Sequence, residues 1–494
     1  MRRTAAASIG IRLEEKMKVL FVTSECVPFC KTGGLADVVG SLPQALAAGG
    51  DEVEVIMPLY QSVAEKYIEE LEFVKYIYVT LAWRNLYCGL FRCRKDGVTY
   101  YFIDNEYYFA RPDLYGYYDD GERFAYFSRS VVSLLTHLDF MPEVIHCNDW
   151  QSALVPIYLA DDAVRWDVLR SIRTVFTVHN IEYQGRYGRE TLEDLFGLPS
   201  GWFDGGTLEF SGDVNLLKGA LLTADAITAV SPTYAQELKY AYFAHGMESV
   251  MNLCDWKLHG VLNGIDMDRY DPSKDRQIIQ NYTANDLSGK AACKAALQKE
   301  MGLKEDPDIP IVAVVSRLVS HKGLDLICEA LDGMMEQGIQ LVVLGKGDWQ
   351  YEEFFRNAQY RFPNMLAARI EYNEATSMRI YSGADLFLMP SKSEPCGLSQ
   401  MIAMRYGTLP IVRETGGLKD TVHPYEEWCC GGNGFTFANY NAGDMWYVVR
   451  QAANLFREDQ EPFHILQKRA MTEDFSWTKS AAKYHQIYQN LHNG

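Results

Sequence analysis

Several chemically capable residues of this 494-residue chain share one kind of position: each lies at or just past the end of a short apolar, β-branched run. Lys31, Gly33 and Gly34 come shortly after KVLFVT, Asp149 directly after EVIHCN, and His179 at the close of TVFTVH. Arg317 follows IVAVVS and Glu394 follows DLFLMPSKS. In open parallel sheets the carboxyl ends of strands are where loops and helix N-termini offer free N–H groups to ligands. Packing alone does not place so many polar and charged groups at that one level.

The chemistry these residue types suggest is the handling of a sugar carrying a diphosphate. The loop 31–35 joins a cation to two adjacent glycines, which let the backbone come close to a phosphate ahead of a helix whose dipole favours negative charge. It lacks the spacing of a P-loop or of G-x-G-x-x-G. Arg317 and Lys322, in SRLVSHKG, can neutralise a diphosphate leaving group from one side and Lys31 from the other. Glu394 opens EPCGL, where a carboxylate accepts from sugar hydroxyls while the N–H groups of Cys396, Gly397 and Leu398 face phosphate. Thr415, Gly416 and Gly417 echo the Thr-Gly-Gly-Leu of residues 32–35 and are placed on the donor side as convergent loop chemistry, not as a repeat. His179 and Asp149 should face the same gap and could form a general acid/base pair, although no Ser-His-Asp order or G-x-S-x-G elbow accompanies them. The Asp-x-Asp strings at 266–268 and 306–308 read as solvated loop aspartates. No metal is expected, the cations taking its electrostatic role.

Two sheets are needed to hold these residues. Runs at 18–23 and 52–58 flank a helix-patterned stretch at 35–48, and further runs follow at 143–146, 174–179 and 226–230. The pattern restarts beyond Gly260 with runs at 311–315, 340–344, 385–389 and 408–412. Such alternation predicts an α/β protein of two doubly wound, parallel-sheet domains facing a cleft. The boundary falls in VLNGID, where Asn-Gly offers turn chemistry. It gives an N-terminal domain over 17–262 and a C-terminal domain over 263–474. Residues 475–494 should form a helix packing back on the first domain, and residues 1–16 an unstructured extension.

A formal net charge of -18 and a pI near 5.1 oppose nucleic-acid binding, which draws on a positive face. No apolar run approaches the ~18 residues that span a bilayer, so no membrane partner is expected. Eleven cysteines, an odd number at irregular spacings without Cys-x-x-Cys, indicate a reduced, cytoplasmic protein.

Taken together, KTGGLADVVGSLP, HCNDW, FTVHNIEYQG, AVSPTYAQE, GVLNGID, VVSRLVSHKGLD, EPCGLSQ and GTLPIVRETGGLKDTV resemble the glycogen and starch synthases of glycosyltransferase family five, in order and spacing from about Met17 onward. The resemblance implies a GT-B fold of two Rossmann-like domains. It further implies transfer of glucose from ADP-glucose to the non-reducing end of an α-1,4-glucan such as glycogen, with retention of configuration and without a cofactor or metal. On matching positions, Lys31, Gly34, Arg317 and Lys322 would meet the donor diphosphate, His179 the glucosyl group, and Glu394 the donor hydroxyls. Asp149 and Asn263 would lie around the sugar, and Asp37 would approach the acceptor. Many retaining GT-B enzymes carry a second Glu eight positions after the first; here that position is Ile402, as in family five. The rivals are a GT-B sibling using UDP-glucose or another acceptor, and a non-catalytic glucan-binding protein that kept the fold.

Overall fold

The computed structural model describes residues 16–163 and 167–493. The extension expected over residues 1–16 lies, apart from Lys16, outside the described residues.

In the first half the chain lays down β1 (Lys18–Val22), β2 (Glu52–Pro58), β3 (Glu72–Leu81), β4 (Arg84–Lys95), β5 (Val98–Asp104), β6 (Val144–Asn148) and β7 (Arg173–Val178). A small antiparallel sheet of β8 (Arg186–Tyr187), β9 (Glu209–Phe210) and β10 (Asp213–Asn215) precedes β11 (Ala226–Ala229) and β12 (Leu258–Gly260). The large nine-stranded sheet has the order β12-β11-β7-β6-β1-β2-β5-β4-β3. The second half supplies β13 (Ile311–Val315), β14 (Gln340–Leu344), β15 (Leu366–Arg369), β16 (Leu386–Met389), β17 (Leu409–Arg413) and β18 (Phe435–Phe437). They form a six-stranded, wholly parallel sheet in the order β15-β14-β13-β16-β17-β18.

The central strands are buried on both faces, as helices covering a parallel sheet require, and so they read as continuous apolar runs. The expected runs coincide with β1, β2, β6, β7, β11, β13, β14, β16 and β17 to within about two residues at either end. The antiparallel edge was not anticipated: β4 pairs antiparallel with both β3 and β5. One face of β3 is solvated, exposing Tyr76 and Tyr78 while Val79 and Leu81 are buried, and such alternation produces no unbroken apolar run.

Among the parallel strands of each sheet the order reverses at the first strand. β1 sits between β2 and β6, and β13 between β14 and β16. The crevice at the carboxyl end of such a reversal is the natural ligand position in open α/β sheets. Lys31, Asp149, Arg317 and Glu394 lie in the loops that follow β1, β6, β13 and β16, the strands bounding those two crevices.

The chain crosses between the domains twice, and the crossings touch. Ile265 N–H donates to Phe475 O at 2.8 Å, and a Cβ on Gly264 would come within 2.8 Å of that same oxygen. The final helix, Trp477–Asn493, then docks on the first domain. Tyr488 hydroxyl meets His146 Nδ1 at 2.7 Å, and His485 Nδ1 lies 2.9 Å from the Asp51 carboxylate. Tyr484 and Tyr488 are fully buried there. No helix among the described residues is long and apolar enough to cross a membrane.

Candidate active site

On the N-terminal side, β1 delivers the loop that leads into helix Gly34–Gly49. That helix has no side-chain cap, so its first N–H groups are open, and a Cβ on Gly34 would meet nothing within 4 Å. Open donors, a helix dipole and empty space make an anion site. Lys31 Nζ stands beside it, 2.7 Å from Asp37 Oδ2, so the residues expected on the donor and acceptor sides are paired with each other. Burial raises the Asp37 pKa against the opposing pull of Lys31. Beneath the loop, Glu25 accepts from the Thr32 N–H and hydroxyl; burial raises its pKa, against the lowering effect of hydrogen bonds from Thr32 and Gly33.

Asp149, one residue past β6, has φ 53° and ψ 179°, a conformation natural to glycine and costing other residues about 1–3 kcal/mol. Its Oδ1 accepts from the His179 N–H at 2.8 Å and the Asn180 N–H at 3.4 Å. Burial, only partly countered by those bonds, lifts its pKa to about 7. This corrects the expected acid/base pair: the carboxylate holds the His179 main chain and not its ring. The ring instead contacts Asn148 Oδ1 through Nε2 at 2.9 Å. Asn148 Nδ2 is committed to the Val22 and His146 carbonyls, so Oδ1 must accept from His179, leaving Nδ1 with a free lone pair. Burial pushes the His179 pKa down to about 3, so the imidazole is neutral and works as a hydrogen-bonding group.

On the C-terminal side, Lys322 Nζ lies 2.6 Å from Glu394 Oε2, which also accepts from Ser391 Oγ at 3.1 Å. Glu394 is buried, at 6% exposure. Its second oxygen, Oε1, has no hydrogen-bond partner among the described residues. Arg317 is exposed and has no ion-pair partner among the described residues. Asn263 is buried, and its Oδ1 has no hydrogen-bond partner among the described residues. Burial pushes the Cys396 thiol to about 12, which removes it as a nucleophile. Gly397 takes φ 73° to turn the chain, and Leu398 leads into helix Ser399–Arg405.

Thr415, Gly416 and Gly417 require correction. All three are buried, and their donors are already taken: Thr415 hydroxyl and Gly416 N–H bond to Glu237, and Gly417 N–H to the Glu394 and Pro395 carbonyls. A Cβ on Gly416 would lie 1.9 Å from Glu394 O, and one on Gly417 2.2 Å from Cys396 O. These glycines let two loops touch and leave no opening for a donor. The structure thus sets Lys31, Gly33, Gly34, Asp37, Asp149 and His179 after strands of the first sheet and Arg317, Lys322, Glu394 and Cys396 after strands of the second, with Asn263 in the link that follows β12. Glu25, Asn148, Ser391 and Glu237 were missed, since each acts by holding another residue and carries no motif of its own. The described residues contain no cluster fit to hold a metal ion.

Two sheets with parallel central strands, each carrying polar and charged residues in the loops at the carboxyl ends of those strands, are the architecture of the two-domain GT-B glycosyltransferases. Residues 18–253 match the family model described as the starch synthase catalytic domain, and residues 298–458 that of glycosyl transferases group 1. Glycogen synthases of Geobacillus stearothermophilus and Anoxybacillus flavithermus are 47% and 45% identical to this chain over 96% and 97% of its length and 98% and 99% of theirs. The catalytic domain of starch synthase IV from Arabidopsis thaliana, solved with ADP and acarbose, superposes with a TM-score of 0.90 at 35% identity, covering 97% of this chain and 100% of that one. The chain belongs to the glycogen synthase and starch synthase family.

Proposed function

We propose that this protein transfers glucose from ADP-glucose to the non-reducing end of an α-1,4-glucan, with retention of anomeric configuration and without a metal. What carries the proposal is the division of positive charge: Lys31 and the open N-terminus of helix Gly34–Gly49 on one side, Arg317 and Lys322 on the other. A diphosphate held between them gains charge as the sugar departs, and preorganised cations stabilise that change without reorganising.

The remaining polar groups suit the sugar. Among the described residues Glu394 Oε1 and the buried Asn263 Oδ1 have no partner and can accept from hydroxyls, and His179 Nδ1 offers a lone pair. Asp149 holds the His179 main chain and so fixes where that imidazole meets the sugar. The departing phosphate oxygen takes the acceptor hydroxyl's proton on the same face, which gives retention without a carboxylate nucleophile. With its two halves on different domains that are held together, the site encloses the donor and excludes water. A cytoplasmic setting fits the eleven free thiols.

The test is glucose incorporation into glycogen from ADP-glucose and from UDP-glucose at equal concentration. Faster incorporation from ADP-glucose is expected. A clear preference for UDP-glucose overturns the donor assignment, and glycogen binding without nucleotide release overturns catalysis.

A further inference from the structure

We infer that Glu237 is a positioning residue: acting across the domain boundary, it sets the sugar-facing loop 391–398 at a fixed place relative to the N-terminal half of the site. The inference rests on the functional assignment above. Helix Pro232–Glu237 follows β11 in the N-terminal domain and lies against helix Gly416–Thr421 of the other. Its cap Ser231 Oγ donates to Pro395 O at 2.7 Å. The Thr233 N–H and hydroxyl donate to the Asp420 carboxylate at 2.9 and 2.7 Å. At the far end, Glu237 Oε1 accepts from Thr415 Oγ1 at 2.8 Å, and both its oxygens lie 3.1 Å from Gly416 N.

The groups it holds are in contact with the site itself. Gly417 N–H donates to Glu394 O at 3.3 Å and Pro395 O at 3.2 Å, and the approach of Gly416 to Glu394 O leaves no room for a methyl group. Glu394 in turn carries the ion pair with Lys322. An unbroken series of short contacts therefore runs from the N-terminal domain, through Glu237 and the 415–417 turn, to the carboxylate that faces the sugar.

The first Thr-Gly-Gly-Leu loop shows what is unusual here. There Glu25 accepts from the Thr32 N–H and hydroxyl, a related contact made from within its own domain. At the second loop the glutamate comes from the opposite domain, which turns a helix-capping contact into an interdomain one. Glu237 needs its oxygen for this role, as an acceptor for Thr415 and Gly416, and does not need to touch substrate.

The experiment is steady-state glucosyl transfer from ADP-glucose to glycogen by wild type, Glu237→Ala, Glu237→Gln and Thr415→Val, with folding checked by circular dichroism. Glu237→Ala should lower kcat about tenfold or more with the KM for glycogen unchanged, whereas Glu237→Gln, which keeps an acceptor oxygen, should stay within about threefold of wild type. Thr415→Val should fall between them. A folded Glu237→Ala with wild-type kcat overturns the inference, as does a Glu237→Gln equally impaired. If Glu237→Ala does not fold, Thr415→Val decides: folded with wild-type kcat it overturns the inference, and with reduced kcat and unchanged glycogen KM it upholds it. A wild type that transfers no glucose sinks the functional assignment and the inference together, while an active wild type with unaffected variants sinks the inference alone.

Discussion

Arg317 offers the cleanest separation of chemistry from stability. It is exposed and without an ion-pair partner among the described residues, so Arg317→Ala removes no structural contact of consequence and should change stability by less than about 0.5 kcal/mol. If its guanidinium meets the leaving diphosphate, its loss resembles loss of one preorganised transition-state donor, about 2.7–4 kcal/mol. At about 1.36 kcal/mol per factor of ten, kcat should fall roughly 100- to 1000-fold. The contrast is Lys322→Ala, which also strands the carboxylate of Glu394, 6% exposed and 2.6 Å from the lysine. Breaking a buried pair from one side costs about 3–5 kcal/mol, so that variant should lose both kcat and thermal stability. ADP release coupled to glycogen extension measures the first quantity and a thermal melt the second. An Arg317→Ala enzyme within threefold of wild-type kcat, melting normally, would refute the assignment of that cation to the leaving group.

Four more outcomes are expected. Asp149 has its pKa raised by burial to about 7, from a usual 3.8, so its contribution to stability is complete below about pH 4 and lost as pH rises through about 7. Asp149→Asn keeps an acceptor for the His179 N–H and lacks that titration, so its Tm relative to wild type should climb from pH 5 to pH 8; a constant difference contradicts the assigned shift. Gly34→Ala should leave Tm unchanged but raise the KM for ADP-glucose, because its Cβ enters only the open space meant for phosphate. Gly416→Ala, which would bring a Cβ 1.9 Å from Glu394 O at φ 44°, should lower Tm by several degrees, and equal melts for the two variants would contradict both placements. Glucosyl transfer should persist in excess EDTA, and activity restored only by a divalent ion would contradict the metal-free proposal.

Much of the architecture was legible because buried parallel strands leave a plain trace. β2, β13 and β14 begin and end where their apolar runs do, and the loops after β1, β6, β13 and β16 carry the polar residues that a ligand would require. The β3–β4 edge was not legible, since a strand with one wet face reads as mixed sequence. Among site residues, types that bear chemistry could be picked out, but their partners could not. Nothing in HCNDW says that Asp149 holds a main chain while Asn148 orients the imidazole of His179. The two Thr-Gly-Gly-Leu loops look alike in sequence, yet one stands open and the other is sealed by Glu237, a residue about 180 positions away in the chain. Long-range contacts of that kind are set by how the domains dock, which local pattern does not encode.

The central claim is that cations from two domains close on one diphosphate, and a crystal structure of the protein with ADP tests it directly. The account predicts phosphate oxygens within hydrogen-bonding reach of Arg317, Lys322 and the Gly34 N–H, with Lys31 turned from Asp37 toward them. ADP bound away from the gap between the sheets, or phosphates touching neither Arg317 nor Lys322, would contradict it.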